Sequence, residues 1–336
     1  MSTSLCNHCY NEIDATVSYE QDGVYLRKNC DIHGSQSIRI EEDIQFYQQS
    51  LVKGPHADYW YGLINTTALD VTRRCNVQCP HCYALPEDGA IDPTIEEIVD
   101  VARKIEKGNQ IILMGAEPTM RTDLPELVST LKTTFNKPVG IYTNAIRLAS
   151  ERYSKTVSDA IDYATVSLHM RDYLPNEKLF DKKLKGINNL FKNNVPIYHI
   201  SFSLRTLDDL DEVFSHCKMF WNKVHHFRIR TPSDVGLCND EPIYLSRLFK
   251  HFIKKAQQEQ MKIRVLPSDN NPYHINVMLN NQVFRLIHFP SVKEVNMDYL
   301  QTPPYALFMP ELGETNLVHQ FIMQEQEKLA SVEGNV

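Results

Sequence analysis

The sequence predicts an α/β fold built on a parallel sheet, and three observations lead to this expectation. Short apolar runs typical of strands alternate with longer amphipathic segments typical of helices, from about residue 63 to residue 260. Six such strand-helix repeats favour parallel strands joined by right-handed crossovers. At 336 residues the chain also has room for about two domains with an ample core.

The predicted elements follow one another in a regular order. The strands are expected at 63–71, 110–114, 139–142, 163–169, 197–204 and 226–230. The first helix opens at a capping box formed by Thr94 and Glu97. Later helices are expected at 123–135, 176–192, 207–221 and 241–260. Beyond them, 274–279 and 283–288 are predicted to form a hairpin, followed by a segment rich in proline and aromatic residues.

Three cysteines follow the first predicted strand. Cys75, Cys79 and Cys82 have the spacing C-x3-C-x2-C, which offers three thiolates from one short loop. A [4Fe–4S] cube has four iron corners, so three protein ligands leave one iron open, whereas ferredoxin runs and structural zinc sites use four ligands. The alternative is a group of core thiols, since free cysteine packs as a small hydrophobe. The position at a strand end, where barrel enzymes place their chemistry, favours the cluster.

This loop resembles the signature loop of the radical S-adenosylmethionine (SAM) enzymes. The resemblance implies a partial (β/α)6 TIM-like barrel, a [4Fe–4S] cluster, and chelation of the open iron by the amino and carboxylate groups of SAM. It also implies that His81, inside the loop, lies at the cofactor. The run Gly115-Ala116-Glu117-Pro118 after the second strand looks like the family's Gly-Gly-Glu-Pro motif, which receives the SAM amino group. Ala116 stands where the second glycine is usual.

Polar residues near the ends of later strands complete the expected site. Asn144 closes the third strand, where it either faces SAM or the substrate or simply favours a turn. Other candidates for contacts with SAM or an anionic substrate group are Ser167, Ser201, Ser203, Arg205 and Arg230. The serines could instead be filler on the barrel wall. The candidate catalytic residues are His169, for which a purely polar packing role is the alternative, and the loop thiol Cys238.

A second cysteine group lies at the N-terminus. Cys6 and Cys9 form a C-x2-C knuckle, and Cys30 and His33 form a C-x2-H knuckle after a spacer of 20 residues. This is the layout of a small ribbon in which two knuckles close a tetrahedral site. Asp22-Gly23 between the knuckles is a hairpin signal. Three thiolates and one imidazole favour structural Zn²⁺, with mononuclear Fe as the lesser possibility.

These observations divide the chain into three predicted parts. A zinc-ribbon or rubredoxin-like lobe is expected at 1–58, the (β/α)6 core at 59–266, and a C-terminal extension that caps the barrel at 267–336. The net charge of −7 argues against a nucleic-acid partner, which would favour a basic excess. No apolar run is long enough to span a bilayer, so we expect a cytoplasmic protein with reduced thiols.

The resemblance implies the type of reaction. An electron from a flavodoxin or ferredoxin would reach SAM through the cluster, and the resulting 5′-deoxyadenosyl radical would abstract hydrogen from a small-molecule biosynthetic substrate. The ribbon-plus-barrel layout resembles the subset with tetraether-lipid synthases and pterin-methylating enzymes, which suggests C–C bond formation, rearrangement or carbon-unit transfer. The alternatives are a radical epimerase or dehydrogenase, modification of an RNA or protein recognised by the ribbon, and a non-enzymatic Fe–S sensor.

Overall fold

The computed structural model describes most of the chain and confirms a mixed α/β fold with a parallel sheet. The described residues are 2–54, 66–80, 82, 84–105, 108–232, 241–267, 270–288, 290–291, 293–294 and 296, with the backbone of 306–309 and 313–316. Two predicted site residues, His81 and Cys238, lie outside them. In the described part, no helix is long and apolar enough to cross a membrane.

The N-terminal region is a four-stranded antiparallel sheet in chain order. Its strands are β1 (Ser2–Leu5), β2 (Glu12–Glu20), β3 (Gly23–Cys30) and β4 (Gly34–Glu41), and helix α1 (Ile44–Ser50) follows them. The predicted hairpin is present, with Glu20 opposite Gly23 at the turn between β2 and β3. The sheet buries a small apolar core of its own. The members of that core are Ala15, Val24, Leu26, Ile40 and Tyr47.

The predicted six repeats form the centre of a nine-stranded sheet. The parallel strands, neighbours in chain order, are β5 (Thr66–Asp70), β6 (Gln110–Met114), β7 (Val139–Thr143), β8 (Tyr163–Ser167), β9 (Ile197–Ser203) and β10 (His226–Arg230). The helices that alternate with them are α2 (Ile95–Ile105), α3 (Leu124–Phe135), α4 (Glu151–Ala160), α5 (Glu177–Lys192), α6 (Leu210–Met219) and α7 (Leu245–Gln258). The predicted capping box of α2 is also present: the backbone N–H of Glu97 donates to Thr94 Oγ1, and that of Thr94 donates to Glu97 Oε2.

Three further strands extend the sheet beyond β10. They are β11 (Ile263–Val265), β12 (His274–Leu279) and β13 (Gln282–Ile287). Strand β13 is parallel to β10, and β12 and β13 form the predicted antiparallel hairpin. The main sheet therefore continues past residue 266, and the predicted domain boundaries stay a prediction. Strands β14 (Ala306–Met309) and β15 (Gly313–Asn316) form a separate antiparallel pair.

The two faces of the main sheet differ in chemistry because strand side chains alternate. On β10, Phe227 and Ile229 are fully buried and belong to the large core beneath the helices. His226, Arg228 and Arg230 therefore face the opposite side of the sheet, which we call the inner face. Because β5 to β10 are parallel, their carboxyl ends meet at one edge, where ligands bind in folds of this class.

The N-terminal sheet is attached to helix α7 by paired charges and hydrogen bonds. Both the backbone N–H and the hydroxyl of Ser246 donate to the buried carboxylate of Glu41, at 3.1 and 2.5 Å. Arg247 pairs with Glu42 at 2.5 Å, and Lys250 pairs with Asp43 at 2.7 Å. These contacts place the ribbon on the outside of the sheet at its sixth repeat.

Candidate cluster and cofactor site

The loop between β5 and α2 presents the three predicted cluster ligands as half-buried thiols. Burial raises the pKa of Cys75 to about 12, and nearby Glu117 acts in the same direction. Burial also raises the pKa values of Cys79 and Cys82. Each thiol therefore needs a metal to hold it as a thiolate near neutral pH.

Glu117 is the buried carboxylate behind the loop and is 1% exposed. Its Oε1 accepts hydrogen bonds from the hydroxyls of Thr119 and Thr143, at 2.6 and 2.7 Å. Its Oε2 accepts from the backbone N–H of Asn144 at 2.6 Å. A carboxylate oxygen has two lone pairs, so Oε2 keeps an acceptor position for an amine. This geometry supports the predicted contact with SAM, which stays a prediction.

Gly115 permits the close approach of two strand ends. Its φ of +119° lies in the region that favours glycine, and a Cβ there would be 2.3 Å from Asp70 Oδ1 and 2.4 Å from the Thr72 carbonyl oxygen. The next residue, Ala116, has no such restriction and donates its backbone N–H to the Thr72 carbonyl at 2.9 Å. Alanine is therefore tolerated at the second position of the motif. Burial raises the pKa of the neighbouring Asp70 to about 7.

Asn144 joins the carboxylate to the cysteine loop. Its side-chain Nδ2 donates to Asn76 Oδ1 at 2.8 Å and lies 3.8 Å from the Sγ of Cys75. Its Oδ1 accepts from the backbone N–H of Ile146 at 2.9 Å, so the amide is fixed in orientation. The structure thus brings Asn144, Glu117 and Cys75 into one hydrogen-bonded group. The contact with the Ile146 N–H is the turn role that was one alternative for Asn144, and its predicted contact with SAM or the substrate stays a prediction.

Lys183 is a site residue that the sequence reasoning missed. Its side chain is fully buried on α5, and its ammonium donates to the Ser167 carbonyl at the end of β8, at 2.7 Å. Burial lowers the pKa of Lys183 to about 8, while Cys79 and Glu117 act against that shift. A signal was present in the sequence, because Lys183 falls on the buried stripe of α5 formed by Phe180, Ile187 and Leu190.

The remaining predicted residues lie on or just beyond strands β8, β9 and β10 and have different surroundings. Ser203 accepts a hydrogen bond from Arg230 Nη2 at 3.1 Å, whereas the buried hydroxyl of Ser201 has no partner among the described residues. Arg205 pairs with Asp172 at 2.5 Å and stacks over the ring of Tyr173, and both partners line a cavity together with Cys79. His169 lies half-buried two residues beyond β8. Their roles stay predictions.

The N-terminal group has the dimensions of a tetrahedral metal site. The Nδ1 of His33 lies 3.5 Å from Cys6 Sγ and 3.6 Å from Cys30 Sγ, and the sulfurs of Cys9 and Cys30 are 3.9 Å apart. Zinc bonds of ordinary length in a tetrahedron give S···S distances of about 3.8 Å and S···N distances of about 3.6 Å. All four predicted ligands therefore fit one ion, and no position is left open for a substrate.

The surroundings of Cys6 favour its thiolate. Burial opposes ionisation, but hydrogen bonds from the backbone of Cys9, from Gln36 and from the backbone of His8 together lower the pKa of Cys6 to about 5. The Gln36 side chain donates to the sulfur at 3.1 Å and accepts the backbone N–H of Asn7 at 2.8 Å. Partners of this kind orient a metal ligand and raise metal affinity.

Comparison with known proteins agrees with both sites. A model of the radical SAM superfamily matches residues 69–217, and a model of the HMPTM N-terminal zinc ribbon domain matches residues 1–42. The crystal structure of SuiB from Streptococcus suis bound to S-adenosylmethionine has a related fold. The two structures have a TM-score of 0.51 and 14% sequence identity, and the comparison covers 94% of this chain and 86% of the SuiB chain.

Curated relatives include several enzymes. The 7,8-dihydro-6-hydroxymethylpterin dimethyltransferase of Methanocaldococcus jannaschii is 30% identical over 184 residues, which are 47% of this chain and 36% of that protein. A probable GTP 3′,8-cyclase of Methanococcus maripaludis is 28% identical, covering 62% and 79% of the two chains. The Fe-coproporphyrin III synthase of Methanosarcina barkeri is 29% identical, covering 60% and 55%. The match thus spans about a third of the methyltransferase and about half of the synthase.

The structure and the comparisons together confirm the expected family and cofactors. The cluster loop and the Glu117 motif lie inside the matched radical SAM domain, which implies a [4Fe–4S] cluster and SAM. The four ligands of the N-terminal site lie inside the matched zinc ribbon, which favours zinc over iron. The chain therefore carries a radical SAM domain at residues 69–217, preceded by an N-terminal zinc ribbon at residues 1–42.

Proposed function

We propose that this enzyme cleaves SAM reductively and directs the chemistry to a small-molecule biosynthetic substrate. The observation that carries the proposal is the hydrogen-bonded group that links the cluster loop to a buried carboxylate through Asn144. The backbone N–H of Asn144 donates to Glu117 Oε2 at 2.6 Å, and the side-chain Nδ2 of Asn144 lies 3.8 Å from Cys75 Sγ. A sensor needs only the thiols, whereas a carboxylate with a spare acceptor position suits an amine-bearing ligand. When bound, the cluster supplies the electron that opens the sulfonium of SAM.

The residues of the chain have separate tasks in this proposal. Cys75, Cys79 and Cys82 would hold the cluster by three irons, and Glu117 would orient the amino group of SAM. The buried ammonium of Lys183 would offset the negative charge that the thiolates bring into the site. Burial of the group limits access of water to the reacting centre.

Three relatives support a small-molecule substrate and a bond-forming or carbon-transfer reaction. One is named as a pterin dimethyltransferase, one as a GTP cyclase and one as an Fe-coproporphyrin synthase. The ribbon matches the HMPTM N-terminal zinc ribbon domain, and the Methanocaldococcus jannaschii relative is a hydroxymethylpterin dimethyltransferase. We include a flavodoxin or ferredoxin as electron donor, and a cytoplasmic location, in the proposal.

The test is anaerobic reconstitution of the full chain, followed by reduction with dithionite in the presence of SAM. We expect about four irons and one zinc per chain and the release of 5′-deoxyadenosine. Cys217→Ala is the matched control, because this thiol is fully buried in α6 and contributes to the core. Equal deoxyadenosine release by Cys75→Ala and the wild type would contradict the proposal. So would an intact cluster that never cleaves SAM with any of a panel of pterins, nucleotides and tetrapyrroles.

A further inference from the structure

Strands β9, β10 and β13 carry a group of basic and hydroxyl side chains on the inner face, which we call the basic strip. In the register of the sheet, Arg228 lies opposite Ser201 on one side and opposite Arg285 on the other. Neighbouring strands are about 4.8 Å apart, so these side chains share one patch. The full strip consists of His199, Ser201, Ser203, His226, Arg228, Arg230 and Arg285.

The orientation of the strip follows from the core on the other side of the sheet. Phe202 on β9, Ile229 on β10 and Leu286 on β13 are fully buried in the main core. Because side chains alternate along a strand, their neighbours in the strip must face inward. Arg230 and Ser203 lie at the carboxyl edge near the cluster loop, and Arg228 lies one layer deeper. The strip therefore leads from the cofactor edge into the interior of the fold.

Several polar atoms of the strip are buried without a partner among the described residues. They are Arg228 Nε, Ser201 Oγ and His199 Nε2, and Thr165 Oγ1 on the adjoining strand β8 is in the same condition. Native interiors satisfy nearly all of their buried polar groups, because an unsatisfied buried donor or acceptor destabilises the fold. Their concentration on three neighbouring strands indicates a place built to contact something other than the surrounding side chains.

The contacts of Arg121, a structural arginine, differ from those of Arg228. Arg121 is 2% exposed, pairs with Asp123 at 2.6 Å, and donates to the carbonyl oxygens of Val71 and Pro93. The Nε of Arg228, in contrast, is buried and has no hydrogen-bond partner among the described residues. A guanidinium stays charged at any ordinary pH, so an arginine in such surroundings favours a negatively charged partner.

The histidines add donors to the strip but little charge. Burial, aided by the two arginines, holds the pKa values of His199 and His226 well below the usual range, so both rings are neutral near pH 7. The positive charge therefore belongs to the guanidinium groups. Arg285 Nε donates to Asn276 Oδ1 on β12, and Arg230 Nη2 donates to Ser203 Oγ, both at 3.1 Å.

We propose that the basic strip is an anion subsite that binds a phosphate or carboxylate group of the substrate, with Arg228 as its central ligand. Paired guanidinium groups with a flanking hydroxyl suit the oxygen atoms of either anion. The substrate is then an organic anion whose charged end is anchored below the cofactor edge. Identifying the ligand as the substrate rests on the proposed function, whereas the binding of an anion does not.

The test is calorimetric titration of the full-length, zinc-loaded chain with inorganic phosphate and, separately, with succinate, without reductant or SAM. We expect at least one anion to bind the wild type, and Arg228→Gln to weaken that binding about tenfold or more. Arg228→Lys should retain part of the affinity. The control is Arg103→Gln, which changes an arginine with a 59% exposed side chain on α2 and should have no effect. The anion that binds more tightly distinguishes a phosphate-bearing from a carboxylate-bearing substrate.

Thermal unfolding separates a binding role from a structural one. Arg228 is half-buried and its Nε has no partner among the described residues, so Arg228→Gln should leave the Tm equal to or above that of the wild type, whereas Arg121→Gln should lower it. The proposal is overturned if neither anion binds, if Arg228→Gln binds as the wild type does, or if the variant instead weakens SAM binding alone. Anion binding without deoxyadenosine formation would leave the subsite standing and contradict the proposed function instead.

Discussion

The chain contains two cysteine sites whose thiols differ in their electrostatics. In the ribbon, hydrogen bonds outweigh burial and lower the pKa of Cys6 to about 5, burial raises the pKa of Cys9, and four donor atoms lie within 4.8 Å of one another. In the cluster loop, burial raises the pKa values of all three thiols, that of Cys75 to about 12. The ribbon thus has one thiol that ionises readily among four assembled ligands, whereas every thiol of the loop depends on its cofactor to ionise it.

The two sites also differ in how much of the fold takes part. The ribbon ligands and Gln36, which supports Cys6, all come from the first 36 residues of the chain. The loop, in contrast, is backed by Asn144 from the end of β7, Glu117 after β6 and Lys183 from α5. A structural metal site can be built locally, but a reactive one needs groups that only the assembled sheet brings together.

The strongest test of this comparison is removal of a loop ligand. Cys79→Ala should reduce the cluster iron from about four atoms per chain to near zero and lower deoxyadenosine release at least about 100-fold. The zinc content should stay at about one per chain, because the ribbon ligands are separate. Iron, sulfide and zinc analysis after anaerobic reconstitution checks this. Loss of zinc together with iron would show that the two sites are not independent.

Removal of a ribbon ligand should abolish zinc binding and leave the cluster iron in place. Cys30→Ala leaves three donors, so zinc should be lost and the N-terminal sheet destabilised by several kcal/mol, because structural zinc binding supplies folding free energy. Cluster iron should persist in the fraction that remains soluble. The measurements are zinc content and limited proteolysis within residues 2–41. A stable, zinc-free and protease-resistant ribbon would contradict the structural role of the metal.

The sequence predicted the parts of both sites that are local in the chain. The knuckles at Cys6 and Cys30, and the strand, loop and helix around Cys75, follow from spacing and periodicity over a few residues. Helix α4 was missed because its sequence is mostly polar and only Ser154 and Val157 are buried. Lys183 was missed because its burial depends on where α5 packs, although its place on the apolar stripe was visible. Tertiary packing, which spacing does not encode, decides such positions.

A subtler test concerns the carboxylate behind the loop. Glu117→Gln keeps the shape of the side chain but removes its charge, so SAM affinity should fall about 10- to 100-fold while cluster iron stays unchanged. Thr143→Val is the matched control, because it removes one hydrogen bond to Glu117 Oε1 and leaves the carboxylate in place. Calorimetric titration of the reconstituted, unreduced enzyme with SAM measures both. Equal losses in the two variants would mean that Glu117 acts by holding the loop rather than by contacting SAM.

The smallest expected effect is electrostatic and concerns Lys183. Its folded pKa of about 8 lies below that of a free lysine, so between about pH 8 and pH 10 the folded chain releases a proton that the unfolded chain keeps. Stability of the cluster-free wild type should therefore rise over this window relative to Lys183→Met, by at most about 3 kcal/mol. Lys182→Met, which changes an exposed neighbour, should follow the wild type.

Urea unfolding at pH 7.5 and pH 9.5 measures this difference. With the cluster bound, the negative charge of the thiolates favours the charged form of Lys183, because Cys79 and Cys75 already act to raise its pKa. The rise of the free energy of unfolding between pH 7.5 and pH 9.5 should therefore be smaller. If the free energy of unfolding depended on pH in the same way in the wild type and in Lys183→Met, the amine of Lys183 would be in contact with solvent. The loop would then lack a buried cation of the kind that the ribbon has in Lys28, which is 3% exposed and interacts with the thiolate of Cys6.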